Sequence, residues 1–448
     1  MKTIEKRDFS LPQTLDRLAV ETVGRAGDLG VDGIEVAISS GNGLSVTVRG
    51  GACETVEHQR DKSLAITVYH GGRKGTATSS DFSAQALADS IAAAKRIADY
   101  AESDPFAGLA EPEFLASEIP ELALDHPWEI DAEAAIELAL ECERAALSFD
   151  RRIKQSDGCS VDRYRGAHAY ANSHGFHGVY RGTRHSMSAI MIGDDAQGMQ
   201  RGYWYSAARD SEDLEVPEAV GATAARRTIA KLGARKIPTT ELPILFEAGI
   251  AASLIGHLVS AISGAAQYRR ASFLLDALGE AVLAPSLNLH EQPHLPGAIG
   301  SAPFDGDGVA TMAKAIVTSG RLETYLLSAY AARKLDRTPT GNAGGVHNLV
   351  LQHGERDFDA MVAGLDRAFL VTDLMGFGVN TVTGDYSRGA SGFIVERGEI
   401  AQAVEEVTIA GNLKDMLMGI VEIGSDVDLR GNIRSGSILI DHMAVAGS

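Results

Sequence analysis

Residues 34–69 read IEVAISSGNGLSVTVRGGACETVEHQRDKSLAITVY and decide the architecture of the first half of the chain. Apolar and polar residues alternate in four short stretches, which are separated by Gly, Asn or Asp: 34–38, 44–48, 54–57 and 65–69. Alternation at period two places apolar side chains on one face of a sheet and polar side chains on the other. The segment therefore predicts an antiparallel meander of four short strands, with one packed face and one wet face.

Helical patterns surround this meander, and further strand patterns follow it. The spacing of apolar residues and the capping residues predict helices that follow Thr14 up to Gly30 and that span residues 83–101, 132–147, 217–232, 248–263, 325–334 and 358–363. Residues 235–238, which end in a proline, indicate a hinge. We therefore predict an α+β protein with two domains, residues 1–237 and 238–448, each with a mainly antiparallel sheet and packed helices.

Composition argues against several classes of partner. The formal charge is -19 and the isoelectric point is near 5.1, so the mean field repels phosphate backbones and anionic lipid. We expect no nucleic-acid partner and no membrane association. The first 16 residues lack the apolar core of a signal peptide, and a cytoplasmic location is expected. The three cysteines, Cys53, Cys142 and Cys159, have no spacing typical of a disulfide framework or a metal cage.

One short segment matches a zinc signature by its letters. Residues 290–294 read His-Glu-Gln-Pro-His, which fits H-E-x-x-H. That signature requires a continuous helix with both imidazoles on one face. Pro293 lies between the histidines, and Pro285 and Pro296 flank them, so a helix is not expected there. We interpret the segment as a surface loop with two solvated histidines and no metal.

Other candidate motifs are incomplete. His257 lies on the predicted helix 248–263, but the positions one turn earlier hold Ala252 and Ser253 and offer no second metal ligand. The glycine-rich runs 341–345 and 376–380 lack the lysine and the strand–loop–helix context of a phosphate-binding loop. Glycine in these runs suits close approach of another backbone, such as a peptide at a sheet edge.

Seven dispersed segments resemble the TldD/TldE (PmbA) peptidase family, in order and over essentially the whole chain. They are RKGTATSSD at 73–81, NSHG at 172–175, PFDGDGV at 303–309, YAARKL at 330–335, GNAGGVHN at 341–348, GDYSRGA at 384–390 and IAGNLKD at 409–415. The resemblance implies two domains that meet at a peptide-binding groove. It also implies a peptidase that degrades flexible peptides, which it captures in extended form.

The resemblance further implies which member of the family this chain is. TldD-type members hold zinc on an H-E-x-x-x-H helix, with a cysteine near the C-terminus. Here the corresponding window has Ala252 at the first ligand position, Ser253 at the general-base position and only His257 retained, and residues 426–437 contain no cysteine. A TldE-type chain is therefore implied, with no catalytic residue, no metal ligand and no cofactor of its own. Zinc is expected in a TldD-type partner, with which the chain forms a heterodimer.

Several functional expectations follow from these patterns. The candidates for contact with the peptide groove are His257, Asn342, His347, Asp385, Tyr386, Arg388 and Asn412. The helix 248–263 is apolar nearly all round, so its own domain or a second chain must cover it. We expect a homodimer when the chain is alone and a heterodimer when a TldD-type chain is available. Two alternatives stay open: an independent metallopeptidase with metal held by His257, His347 and Asp385, and a peptide-binding protein without peptidase activity.

Overall fold

A computed structural model describes residues 11–27 and 29–447. Its N-terminal part is one long-stranded sheet with helices on one face. In chain order the elements are α1 (Pro12–Gly27), β1 (Gly33–Arg49), β2 (Ala52–His70), β3 (Arg73–Ser79), α2 (Ala84–Tyr100), α3 (Ala132–Phe149), β4 (Ile153–Asn172), β5 (His177–Asp195), β6 (Gly198–Ala208) and α4 (Pro217–Lys231). The strand order is β3-β2-β1-β4-β5-β6, and each pair is antiparallel.

The predicted meander is antiparallel, but the prediction of four short strands is wrong. β1 and β2 are two long strands, and residues 41–43 pair on both sides without a break in register. Gly41 does not form a turn here. Because it has no side chain, it leaves room for the ring of Tyr164. A Cβ at Gly41 would lie 2.1 Å from the hydroxyl oxygen of Tyr164, whose ring covers this part of the sheet.

Two separate cores lie on the helix-covered face of this sheet. Leu15 of α1 and Leu87 of α2 pack on the half of β1 and β2 that contains Val36. Cys142 of α3 and Val220 of α4 pack with the half that contains Val46, along with other buried side chains. Residues 40–42 lie between these halves and carry no apolar side chain, so a gap separates the two helix pairs.

The C-terminal part contains two further sheets and several short helices. Its elements are β7 (Thr240–Phe246), α5 (Ala248–Ala261), α6 (Gly264–Tyr268), β8 (Leu289–Glu291), β9 (Lys314–Thr318), β10 (Arg321–Leu322), α7 (Ala329–Lys334), β11 (Leu349–Leu351), α8 (Phe358–Ala363), β12 (Arg367–Met375), β13 (Asp385–Glu396), β14 (Glu399–Asn412), α9 (Leu413–Met418), β15 (Ile420–Ile423), β16 (Ile433–Arg434) and β17 (Ile438–Ala446). The sheet orders are β14-β13-β12-β7-β17-β15 and β10-β9-β8-β11-β16. Only the β7–β12 and β11–β16 pairs among the described strands are parallel.

Helix α5 lies inside the C-terminal part and is covered by its own domain. Leu254, Ile255 and Leu258 are buried in the core that both C-terminal sheets share. Its apolar character therefore gives no reason to place a second chain over it.

The α+β class with mainly antiparallel sheets is confirmed. The predicted domain boundary at residues 237 and 238 falls between α4 and β7 and stays a prediction. No helix of the described residues is long and apolar enough to cross a membrane.

Candidate functional site

An open groove of about 540 Å³ lies between the N-terminal and C-terminal parts. The N-terminal part contributes β6 and the end of α4, and the C-terminal part contributes α5, β12, β13 and β14. Its lining includes Arg201, Tyr203, Lys231, Gly249, Ile250, Ser253, Asp373, Leu374, Met375, Arg388 and Glu405. The first two turns of α5 thus face the groove, while the rest of that helix enters the core.

Two ion pairs hold α4 of the N-terminal part against this region. Arg227 of α4 binds both carboxylate oxygens of Glu247, the residue before α5, at 2.5 and 2.7 Å. Lys231, one turn further, binds Asp373 of β12 at 2.9 Å. Both pairs are largely withdrawn from solvent, so removal of one partner would leave an uncompensated charge. They fix the position of α5 relative to α4 at the groove.

His257 lies one turn beyond Ser253 on α5. Its ring meets that of Tyr386 edge to face, with centroids 6.0 Å apart. Burial and the nearby charge of Arg388 lower the pKa of His257, which favours the neutral imidazole. Its Nε2 atom is buried and has no hydrogen-bond partner among the described residues. Burial also raises the pKa of Tyr386 to about 12, although Arg388 opposes this shift.

The side chains around α5 do not fit a zinc ion. Ala252 has no donor atom, and the hydroxyl of Ser253 donates to the carbonyl of Ile250 at 2.7 Å within the same helix. His257 supplies one nitrogen, whereas zinc sites need three or four ligands. Among residues 11–27 and 29–447, no group of three or more His, Cys, Asp or Glu side chains could hold a metal ion. His257, His347 and Asp385 in particular form no such group.

The expectation of a surface loop with two solvated histidines is wrong for the first two residues of the zinc-like segment, whereas residues 292–294 do lie in a loop. His290 and Glu291 belong to β8, which pairs with both β9 and β11. Because side chains alternate along a strand, His290 is half-buried and Glu291 is directed into the core. The exposed His294 follows in the next loop and contacts the Thr311 hydroxyl at 2.9 Å. The two histidines are therefore not on one face of any helix.

Glu291 is a buried structural carboxylate. Its side chain is 0% exposed and forms an ion pair with Lys314 of β9. It also accepts hydrogen bonds from the Asn342 amide at 2.8 and 3.1 Å and from the backbone N–H of His347 at 2.7 Å. The glycine-rich run 341–345 is thereby anchored to the core of the C-terminal part.

Of the seven predicted groove residues, only Arg388 is among those that line the groove. His257 and Tyr386 pack against each other and are not part of this lining. Asn342 and His347 lie elsewhere. Asn342 is buried and its amide is used by Glu291 and by the carbonyl of Gly345. His347 lines a separate cavity of about 300 Å³, together with His168 and Asp305, and burial lowers its pKa. Neither residue is among those that line the groove along α5.

The 384–390 segment divides between the groove and the surface. Arg388 lines the groove and donates from Nε to the Gly376 carbonyl at 3.1 Å. Asp385 instead accepts from the Thr383 hydroxyl at 2.6 Å, and Asn412 caps α9 beside it. Both residues lie in one glycine-bracketed segment, and an internal Asp385–Arg388 ion pair is the structural alternative to a groove role. Among the described residues this pair is not formed, because residues three apart on β13 point to opposite faces.

An exposed aromatic residue near the groove is not visible in the sequence pattern. Residues 376–384 connect β12 to β13, and Phe377 at the tip is 99% exposed. Met375 and Val382 are also about half exposed beside it. Two backbone hydrogen bonds hold this connection. The N–H of Ser387 donates to the carbonyl of Gly378 at 2.7 Å, and the N–H of Asn380 donates to the carbonyl of Asp385 at 2.8 Å. Its shape brings an ordered apolar tip to the rim of the groove.

The fold and the groove define a two-part α+β protein whose interdomain groove is bordered by one helix of the C-terminal part. Three family models together cover most of the chain. They are PmbA/TldA metallopeptidase domain 1 at residues 34–98, the central domain at 125–232 and the C-terminal domain at 239–447. The first two matched segments build the single N-terminal sheet.

Relatives support the same assignment. Metalloprotease PmbA of Escherichia coli O157:H7 is 46% identical over 93% of this chain and 92% of its own length. A metalloprotease PmbA homolog of Haemophilus influenzae is 42% identical over 96% and 95%, respectively. This chain belongs to the PmbA/TldD family and is a metalloprotease-like protein of the PmbA/TldE kind.

Solved structures share the fold. A putative modulator of DNA gyrase from Bacteroides thetaiotaomicron superposes with a TM-score of 0.91 at 28% identity and covers 96% of this chain and 98% of that one. TldE from Thermococcus kodakarensis superposes with a TM-score of 0.85 at 21% identity and covers 96% of this chain and 100% of that one. The second likeness shows the fold alone.

Proposed function

We propose that this chain is the TldE-type subunit of a cytoplasmic TldD–TldE metallopeptidase that degrades or processes flexible peptides. The observation that carries the proposal is the composition of α5 where it meets the groove. Ala252 and Ser253 stand where the family resemblance places a zinc ligand and the general base. Alanine cannot coordinate a metal, and the serine hydroxyl cannot act as a carboxylate base near neutral pH. The chain therefore shapes the groove, and a TldD-type partner supplies the zinc.

The groove has properties that suit an extended peptide. It is open, it is lined by both parts of the chain, and it combines the apolar Ile250, Leu374 and Met375 with the charged Arg388. Apolar contacts with any backbone-extended segment, together with charged side chains of both signs along the lining, permit binding without a strict sequence requirement. Flexible peptides meet this requirement because their backbone is free to extend.

The exposed tip of residues 376–384 supports a partner subunit. Phe377 is exposed together with two neighbouring apolar side chains, and aromatic residues are enriched at the centres of interfaces. Phe377, Met375 and Val382 together offer an apolar contact beside the groove. We propose that this tip docks a TldD-type chain, and a second copy of this chain when none is available.

A second candidate is an independent metallopeptidase, which the naming of the PmbA relatives as metalloproteases favours. Elemental analysis of the purified chain after dialysis separates the two. The subunit proposal predicts zinc well below one ion per chain, since no described cluster supplies three ligands. One tightly held zinc per chain would instead support the independent enzyme.

A further inference from the structure

A basic cavity of about 690 Å³ lies in the N-terminal part, outside the groove along α5. It occupies the gap between the two helix pairs on the helix-covered face of the sheet. Its lining contains five cationic side chains from three strands, β2, β4 and β5: Arg60, Lys62, Arg163, Arg165 and Arg181. In a chain with a net charge of -19, this concentration of positive charge is a local reversal of sign.

Strand register explains why these cations share one face. Arg60 pairs with Asn42, which pairs with Arg165, so these three side chains form a row across β2, β1 and β4. Lys62 and Arg181 belong to the next row, through Ser40 and Ala167. Directly opposite residues of antiparallel strands point to the same face. Asp61, the one acidic residue of the lining, alternates with Arg60 and Lys62 along β2 and points to the other face.

Contacts with neighbouring residues fix the side chains of two of these arginines. Arg163 donates to the Ile130 carbonyl at 3.2 Å and to the Asn42 side chain at 3.2 Å. Arg165 forms a two-pronged pair with Asp125 at 2.7 and 2.6 Å. These contacts orient the guanidinium groups, which lowers the entropic cost of binding an anion. Asp125 also lies 3.7 Å from Arg181, so it offsets part of the charge of both Arg165 and Arg181. Two guanidinium groups and one carboxylate leave a net positive charge there, and Arg60, Lys62 and Arg163 add to it.

The spacing of the cations identifies the ligand chemistry. Arg60 and Lys62, like Arg163 and Arg165, are two residues apart on a strand, which corresponds to roughly 6.8 Å. Acidic side chains at alternate positions of an extended peptide repeat at the same distance. Access is open on one side, because β3 pairs only with residues 64–70 of β2 and leaves residues 52–63 at an exposed sheet edge.

We propose that this cavity is a second binding site, which takes an extended acidic peptide segment with carboxylates at alternate positions. The overall negative charge disfavours a long polyanion such as nucleic acid, whose remaining phosphates would meet the repulsive field. All the charges of a short acidic segment can lie against the two rows of cationic side chains, so none of them meets the repulsive field outside the cavity. The site is distinct from the groove along α5, and binding to it requires no peptidase activity.

Fluorescence anisotropy on the full chain tests the proposal. The probe is a labelled peptide of about ten residues that alternates Asp and Ser, long enough to cross the cavity at about 3.4 Å per residue. A peptide with Lys in place of Asp, and one with the same Asp residues in a single block, are the ligand controls. We expect the alternating acidic peptide to bind most tightly, and its affinity to fall as salt rises from about 0.05 to about 0.3 M.

Variants locate the site. Arg60→Gln and Arg165→Gln should each weaken binding about threefold to fivefold, whereas Arg96→Gln, an exposed arginine on α2, should leave it unchanged. Arg60 is on the exposed part of β2, so its replacement does not endanger folding. Any of three results would overturn the proposal. The three peptides could bind equally well, Arg60→Gln could bind the alternating peptide as tightly as the unmodified chain does, or a single-stranded oligonucleotide could bind more tightly than that peptide. None of these results depends on whether the chain takes part in peptide cleavage.

Discussion

Replacement of Glu291 by Gln tests whether the histidine-flanked glutamate is structural. The substitution keeps the size of the side chain but removes its charge. Lys314 would then remain with only 15% of its side chain exposed and without its carboxylate partner. Lys314 would keep its hydrogen bond to the carbonyl oxygen of Thr340, at 2.7 Å. The Gln side chain would also present an NH₂ group toward donors from Asn342 and His347.

The expected loss follows from this geometry. Removal of one partner from a buried ion pair costs about 3–5 kcal/mol, because the other charge is left buried. We therefore expect the free energy of unfolding of the C-terminal part to fall by about 3–5 kcal/mol. At about 2–4 °C per kcal/mol for a domain of this size, even the lower value lowers the melting temperature by about 6–12 °C.

Urea unfolding followed by circular dichroism measures the loss, and zinc content is determined on the same samples. The matched control is the double replacement of His290 and His294 by Ala, which removes both histidines of the zinc-like segment and keeps Glu291. That control should change stability by less than about 1 kcal/mol and leave metal content unchanged, since His290 is half-buried and His294 is exposed. A stable Glu291→Gln protein, or loss of zinc from the histidine variant, would refute the structural role.

Three further predictions concern the groove, the partner surface and the cavity that His347 and Asp305 line. Arg388→Ala should lower peptide cleavage by a reconstituted complex about tenfold or more without a change in the unfolding of this chain, because the guanidinium lines the groove; unchanged cleavage per folded complex would contradict this. Phe377→Ser should weaken subunit association about thirtyfold in analytical ultracentrifugation, whereas Tyr100→Ser, which removes an 87% exposed ring on α2, should not. Burial and the charge of Asp307 raise the pKa of Asp305 from 3.8 to about 7, so unfolding releases a proton between these values. The free energy of unfolding should therefore fall, relative to that of Asp305→Asn, as pH rises from about 4 to about 7, and a difference that is constant with pH would exclude the shift.

Local signals predicted the longer helices well, whereas α7 begins four residues after the predicted start at residue 325, and the short helices α6 and α9 were not predicted. The side chains of Ser83, Asp131 and Asp357 accept hydrogen bonds from the third residue that follows each of them, and α2, α3 and α8 begin directly after these caps. Apolar periodicity predicted α5, whose observed end at Ala261 lies two residues before the predicted one. These features depend on residues within one or two turns, so a single sequence contains the necessary information.

Features that depend on distant residues were not predictable in the same way. Residues 41–43 were interpreted as a break, because the ring of Tyr164 that covers Gly41 is more than 100 positions away in sequence. The ion pairs Arg227–Glu247 and Lys231–Asp373, which position α5 at the groove, show no short spacing that would mark them. The buried role of Glu291 similarly requires strands β8, β9 and β11 to be placed side by side.

The groove residues show the same division. The family resemblance directed attention to residues 384–390, and Arg388 of that segment does line the groove. Asn342 and His347 come from an equally suggestive glycine-rich run, but the run is anchored to Glu291 in the core. A segment can therefore resemble a family segment for structural reasons, and only the tertiary contacts distinguish the two uses.

Peptide cleavage by reconstituted samples tests the subunit proposal most directly. An unstructured peptide is incubated with this chain alone, with a TldD-type chain, and with an equimolar mixture, and zinc is measured in each purified chain. The account predicts no cleavage by this chain alone, and cleavage by the mixture that a chelator abolishes, with the zinc in the TldD-type chain. Chelator-sensitive cleavage by this chain alone, accompanied by one bound zinc per chain, would contradict it.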